Sequence, residues 1–363
     1  MNILTHIFSI QTTLFASMEE TMDPLTEKER EFIRILGLAQ FERFTGRFSG
    51  GHMGRPRHSR QKIARAFVIK ALYNLPTNEM LVEFLKGSKN PRRLCGWEHS
   101  VGVPSLSTLS RVFAEFAAGN LLVLVHEAMV KNAWGNKLAG HISRDATEIE
   151  AREKPAKKET PAVPKKKHSR GRPRKGEVRE AKPPKRMELQ PFRTLEENLA
   201  DLPTACDVGS KRNSKGHTES WRGYKLHLDT MDGDIPVTAL LSSASMHDSQ
   251  AAIPMAQLTS TRVQNCYDLM DSAYDAPQIH AFSRGLGHVP LIAPHPRYKD
   301  KAPFAPAEKA RFAERSAAER VNSALKDNHG GRFVRVRGAM KVFTHLMFGI
   351  VVITANQLLR LLE

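Results

Sequence analysis

From about Thr26 to Trp134 apolar residues recur every three or four positions. The stretches EKEREFIRILGL, SRQKIARAFVIKALYNL, TNEMLVEFLKG and SLSTLSRVFAEFAAG each carry the period of an amphipathic helix. Thr77 and Ser105 or Ser107 stand where N-caps belong. Strand signals then appear in HISRD (141–145), YKLHLDT (224–230), IPVTALLSS (235–243), CYDLM (266–270) and VPLIAPH (289–295), with MDGD as a hairpin turn between the second and third. Helices are expected over about Ser249–Leu258, Ala276–Gly285 and FAERSAAERVNSALK (312–326). The order strand, strand, strand, helix, strand, helix, strand, helix predicts an α/β fold: a mixed five-stranded sheet flanked by helices, after an all-helical N-terminal domain.

The last of these helices is unusual in what its faces carry. At about 100° per residue, Phe312, Arg315, Glu319 and Lys326 fall within about 60° of one another. Opposite them Ala317, Ala318, Val321, Ala324 and Leu325 form an apolar stripe that seats the helix on a core. Taken alone, Arg315 and Glu319 are an i,i+4 pair of the kind that decorates solvated helices.

Charge sharpens the picture. The chain of 363 residues carries a net charge of +17, which points to a polyanionic partner, nucleic acid above all. Much of the excess lies in Ala151–Met187, with fifteen Lys and Arg against four Glu and six prolines, a composition expected to stay disordered. Within it RGRPRK (170–175) resembles an AT-hook, whose Arg170, Arg172 and Arg174 suit a narrow minor groove. Further basic residues stand in GRPRHSRQK (54–62) and NPRRL (90–94), between the N-terminal helices. Three widely spaced cysteines support neither a disulfide framework nor a zinc knuckle and fit a reducing compartment. The apolar run LMFGIVVITA (346–355) is half a membrane span and reads as a buried helix, so no membrane partner is expected. The first residues, MNILTHIFSIQTTLFAS, read as a tail or an over-long start, with Met18 or Met22 as alternative initiators.

Three acids occupy telling places. Asp145 ends the first strand, Asp271 follows the fourth, and Glu319 lies on the outward face of the last helix. If the first and fourth strands are neighbours, the aspartates converge, and a helix across them brings Glu319 alongside. Clustered carboxylates repel unless cations hold them, and hard oxygen ligands select Mg²⁺ or Mn²⁺. Two such ions would suit in-line phosphoryl transfer.

The constellation HISRDATEIEA, DVGSKRNSKG…WRGYKLHL, ASMHDSQ, YDLMDSAYDA and RSAAERVNSALK resembles the DDE transposases of bacterial insertion sequences, in the group with the motif Tyr-x2-Arg-x3-Glu-x6-Lys. Here Phe312, Arg315, Glu319 and Lys326 keep every interval, with phenylalanine in place of the tyrosine. The N-terminal helices are similar to the helical domain of the same enzymes. The resemblance implies an RNase H-like catalytic core with Asp145, Asp271 and Glu319 as catalytic residues holding Mg²⁺ or Mn²⁺ as two ions. It also implies that Arg315 and Lys326 grip transposon-end DNA, that Phe312 stacks on a base, and that a homodimer assembles on inverted repeats and target DNA in a cytoplasmic, nucleoid-associated setting. Lys211 and Arg212 are expected to meet DNA phosphates.

The division expected is a tail over 1–25, a helical DNA-binding domain over 26–135, the first core strand in 136–150, a basic insert over 151–200, and the rest of the core with the C-terminal helix in 201–363. Asp248 or Ser249 is expected to cap the following helix rather than act directly. Asp207 is expected to order a loop, Tyr224 to be core or contact, and Asp232 and Gly233 to make the hairpin turn. Two other readings share many of these features: a nuclease or resolvase on the same core, and a catalytically dead architectural DNA-binding protein.

Overall fold

The computed structural model describes residues 23–48, 57–135, 137–157, 183–212, 216–295, 304–332 and 334–361. The first 22 residues and the RGRPRK stretch with Arg170, Arg172 and Arg174 lie outside them.

Thr26 opens the first helix, α1 (Glu27–Ala39), with a capping box: its hydroxyl accepts from the Glu29 amide, and the Glu29 carboxylate accepts from the Thr26 amide. Next come α2 (Arg60–Leu72), α3 (Asn78–Gly87), α4 (Lys89–Cys95), α5 (Leu106–Ala118) and α6 (Leu121–Trp134). Thr77 caps α3 by accepting from Met80 N at 3.2 Å. Ser105 rather than Ser107 caps α5, accepting from Thr108 N at 3.4 Å.

NPRRL is helical, as α4, and several basic side chains of this region serve the fold. Arg92 donates to the carbonyls of Leu85 and Lys86, Arg93 pairs with Glu98, and Lys62 donates to the Gly96 carbonyl. Arg60 is only 8% exposed and pairs with Glu115 at 2.8 Å. The sequence pattern registers charge but not the carbonyls that a folded loop leaves for it.

Among the described residues the sheet has six strands rather than five: β1 (Leu138–Glu150), β2 (Asp207–Arg212), β3 (Thr218–Met231), β4 (Ile235–Ser243), β5 (Gln264–Met270) and β6 (Val289–Ile292). β3 pairs antiparallel with β1 over residues 223–231 and with β4 over residues 224–231, so the core order is β4-β3-β1-β5-β6, with β1, β5 and β6 parallel. The sixth strand, β2, pairs with the N-terminal part of β3 over Thr218–Gly223. DVGSKR lacks the apolar alternation that announces a strand, because β2 is held largely by backbone pairing on a solvated ribbon. Asp207 therefore begins a strand and does not order a loop.

Two glycines have backbone roles. Gly233, with φ +77°, turns β3 into β4, and the neighbouring Asp232 carboxylate accepts from the Gly140 and His141 amides, tying the turn to β1. Gly223 has φ +151°, and a Cβ there would stand 2.1 Å from the Ile149 carbonyl oxygen. Gly223→Ala should therefore cost about 2–4 kcal/mol through strain and backbone displacement, read as a lower urea midpoint; an unchanged midpoint would contradict this.

The insert is shorter than its composition suggests. Pro183 onward is described, and Thr194 caps α7 (Leu195–Asp201) through a reciprocal capping box with Glu197. The apolar and capping positions of TLEENLAD were absorbed into the charged run, although they carry their own helix signal. Next come α8 (Ser249–Ser260) and α9 (Pro277–Gly285). The C-terminal helix α12 (Ala339–Arg360) is 22 residues long and long and apolar enough to cross a membrane, yet it is largely buried. Through Leu346, Phe348, Ile350 and Val352 it joins the helical region and the sheet in one core.

Candidate active site

The residues of FAERSAAERVNSALK do not form one helix. α10 (Pro306–Phe312) ends at Phe312, a 3₁₀ turn spans Ala313–Arg315, and α11 (Ser316–Asn328) follows. All these residues keep right-handed dihedrals, so the turn tightens the path without reversing it. Phe312 packs against Phe304 with ring centroids 4.9 Å apart and planes tilted by 41°, and the Arg315 guanidinium lies 5.8 Å from the Phe312 ring. The expected neighbourhood of Phe312, Arg315 and Glu319 thus survives the break.

α11 buries Ala317, Ala318, Val321 and Leu325, as its apolar stripe predicts, and also Asn322. It crosses β1 by side-chain contacts at three levels. Ser143 Oγ donates to the Arg315 carbonyl at 2.7 Å, Asn322 Nδ2 donates to Asp145 Oδ2 at 3.0 Å, and Lys326 Nζ donates to Glu148 Oε1 at 2.8 Å. β1 lies parallel to β5 with Arg144 opposite Met270, so continuing the register by one residue sets Asp145 beside Asp271. The convergence expected of the two aspartates follows from this pairing.

The electrostatics of the pair are those of crowded acids. Burial, with the nearby charges of Asp271 and Glu319, raises the Asp145 carboxyl to about 6 despite the Ala146 amide and Arg315. Asp271 is raised too, by burial and then by Asp248. Asp271 Oδ1 accepts from Ala273 N at 2.9 Å, which fixes the 3₁₀ turn Ser272–Tyr274 that follows it. Glu319 is exposed and turned to Arg315, at 2.5 Å. Consequently, among the described residues no three Asp, Glu, His or Cys side chains stand close enough to hold a metal ion as arranged. The Asp145–Asp271 pair nonetheless has the chemistry a divalent cation relieves: hard oxygen donors, mutual repulsion, and on Asp145 Oδ2 only a neutral amide donor.

The other expected contacts are distributed unevenly. Lys211 and Lys326 both bind Glu148, at 2.9 and 2.8 Å, and although burial alone would raise the Glu148 carboxyl, these two lysines hold it at about 2. Arg212 ends β2, beside Lys211. Tyr224 is core, and its hydroxyl donates to Glu153. Asp248 does not cap α8 through its side chain, in contrast to expectation: its Oδ1 accepts from Lys225 Nζ at 2.7 Å, and its charge bears on Asp271. Ser249 Oγ is engaged by His247 Nδ1 at 2.8 Å. The competition was decided by Lys225, which projects from β3 beneath the start of α8 and offers a full charge where the helix offers a partial one.

Asn322 and Glu148 are therefore site residues that the sequence alone does not single out, and Asp248, expected only as a helix cap, bears on the site through its charge on Asp271. The helical wheel does not mark Asn322, which falls between the charged and apolar faces of α11 and gains its role only from Asp145 on β1. A family model described as a transposase DDE domain matches residues 138–355, from the first residue of β1 into α12. The chain belongs to the DDE transposase family. A second model, described as a transposase domain, matches residues 18–115 and so covers most of the N-terminal helices of the transposase. No significant match was found among curated proteins. As a DDE transposase the protein acts on DNA, and the family performs divalent-metal-dependent DNA cleavage and strand transfer, which are phosphoryl transfers.

Proposed function

We propose that Asp145, Asp271 and Glu319 are the catalytic residues of this transposase and hold Mg²⁺ or Mn²⁺, in up to two ions. The observation that carries the reading is the side-by-side placement of Asp145, midway along β1, and Asp271, just past the end of the parallel strand β5, with α11 bonded to Asp145 through Asn322. Glu319 joins by leaving Arg315, a surface pair whose release costs little. When bound, the ions neutralise the carboxylates and lower the barrier for an attacking oxygen in line with the leaving one. The chain's own groups prepare that geometry. Asn322 holds one oxygen of Asp145, Ala273 N holds one of Asp271, and Lys225 keeps Asp248 paired next to them.

Freed from Glu319, Arg315 presents its guanidinium to a DNA phosphate, and Phe312 presents a ring to a base without the hydroxyl of the tyrosine group. Lys326 and Lys211, held together by Glu148, continue this set, and Arg212 follows Lys211 in the chain; in the DNA complex the two lysines exchange Glu148 for phosphate. Arg170, Arg172 and Arg174 add a minor-groove arm, and the N-terminal helical domain adds terminal-repeat binding. A homodimer on DNA brings two ends together in the cytoplasm, at the nucleoid. The test is incubation with DNA carrying the element's own ends and Mn²⁺: cutting confined to the ends is expected, whereas equal cutting of scrambled ends would favour a plain nuclease.

A further inference from the structure

Behind the acidic pair lies a hydroxyl that the account so far does not use. Tyr274 closes the 3₁₀ turn after Asp271, its amide donating to the Asp271 carbonyl at 3.2 Å. Its ring packs with Ala252, Met270, Ile279 and Ile292, and the residue is 1% exposed. The phenolic oxygen is buried and has no hydrogen-bond partner among the described residues. An orphaned buried hydroxyl costs about 1–3 kcal/mol, and a phenylalanine would fill the same apolar cluster without that cost. The tyrosine therefore calls for a reason beyond packing.

Its surroundings supply one. The charges of Asp248, Asp145 and Asp271 all bear on the hydroxyl, with that of Arg144 opposing them. Arg144 is committed elsewhere, to Asp229 through two hydrogen bonds of 2.7 Å, and its remaining nitrogen meets Met270 Sδ at 3.8 Å. Asp248 has a cation, Lys225, whereas Asp145 is met by the Asn322 amide and the Ala146 N–H, and Asp271 by the Ala273 N–H. The phenol is thus a further neutral donor for two carboxylates whose hydrogen bonds given above come from neutral groups alone.

We infer that Tyr274 is a positioning residue, its hydroxyl held ready to donate a hydrogen bond to the Asp145–Asp271 pair and to orient the two carboxylates toward a divalent cation. The inference rests on the assignment of Asp145 and Asp271 as metal-holding residues. A donor behind a ligating carboxylate fixes its orientation, and loss of such a donor typically costs about 10–100-fold in metal affinity or activity. Asp145 and Asp271 do the ligating; Tyr274 acts through them.

The experiment is Tyr274→Phe in the full chain, with Mn²⁺ titrated while thermal unfolding is followed, and with cleavage of end DNA measured in parallel. In the absence of metal the variant should unfold at the same or a higher temperature than wild type, showing that the ring's packing is kept. The Mn²⁺ concentration that gives half of the thermal shift should rise about tenfold or more, and cleavage should fall at unchanged DNA affinity. An unchanged Mn²⁺ midpoint overturns the inference, whatever happens to cleavage. If wild type shows a Mn²⁺ shift that Asp145→Asn abolishes, but cuts no end DNA, the transposition assignment fails while the positioning role is still decided by the midpoint.

Discussion

Asp145→Asn should abolish end cleavage by about a thousandfold or more and yet raise the thermal stability of the metal-free protein. The two effects have one cause. Asp145 is a half-buried carboxylate in the field of Asp271 and Glu319, with a folded-state pKa of about 6 against 3.8 for the free side chain. A raised carboxyl pKa means that the folded state binds more protons than the unfolded one between those values, so stability falls as pH rises from about 4 to 6 and stays reduced at neutrality. The isosteric amide removes that charge, keeps the size, and is worth roughly 1–3 kcal/mol, or a few degrees. On the proposed assignment it also removes a hard ligand, which phosphoryl transfer on clustered ions does not tolerate. Differential scanning fluorimetry and a cleavage assay on one preparation check both halves. A variant that is both less stable and inactive would mean that Asp145 is structural.

The second large effect is acid lability. His126, His227 and His345 are buried, and burial first, with Arg262, Lys225 and Lys70 among the contributing cations, lowers them to about 3, 4 and 4. His126 Nε2 sits between the Pro236 carbonyl and Thr354 Oγ1, each at 3.1 Å, where the helical region, β4 and α12 meet. In the unfolded chain each histidine takes up a proton near its ordinary 6.5, so lowering the pH from 6.5 toward 4 favours unfolding. At pH 4.5 the three together oppose folding by several kcal/mol, a large share of the roughly 5–15 kcal/mol of a typical native state. Asp145 acts in the opposite direction over much of this range, but as one group against three. Loss of far-UV circular dichroism is expected with a midpoint near pH 5, moved to lower pH by His227→Gln, which keeps a polar partner for Ser242. A full native signal at pH 4.5 would refute this.

How far the sequence went depends on which physical signal each element emits. β4 was read over Ile235–Ser243 and is found there, because a doubly covered strand is a continuous apolar run bounded by turn residues. β1 and β3 extend past HISRD and YKLHLDT, over Ala146–Glu150 and Thr218–Gly223, where polar residues such as Glu148, Glu150, Glu219 and Arg222 interrupt the apolar run. β2 emits almost no signal, being a polar strand held by its backbone. At the site, the spacing of Arg315, Glu319 and Lys326 could be read because a helix converts sequence interval into angle. Asn322, Lys225 with Asp248, and Tyr274 could not be read that way, since each acquires its place only when β1, β3, β5 and α8 are brought together. The Glu148 clamp on Lys211 and Lys326 joins residues from β1, β2 and α11, and no local pattern records it.

The most direct test is cleavage of DNA bearing the element's own ends, with Mg²⁺ or Mn²⁺, by wild type and by Glu319→Ala. Glu319 is exposed and, among the described residues, pairs with Arg315, so its removal leaves the fold intact. The account predicts end cleavage by wild type, none above background in the variant, and end-DNA binding by both. Equal cleavage by the two proteins, or binding without metal-dependent cleavage by wild type, would contradict it.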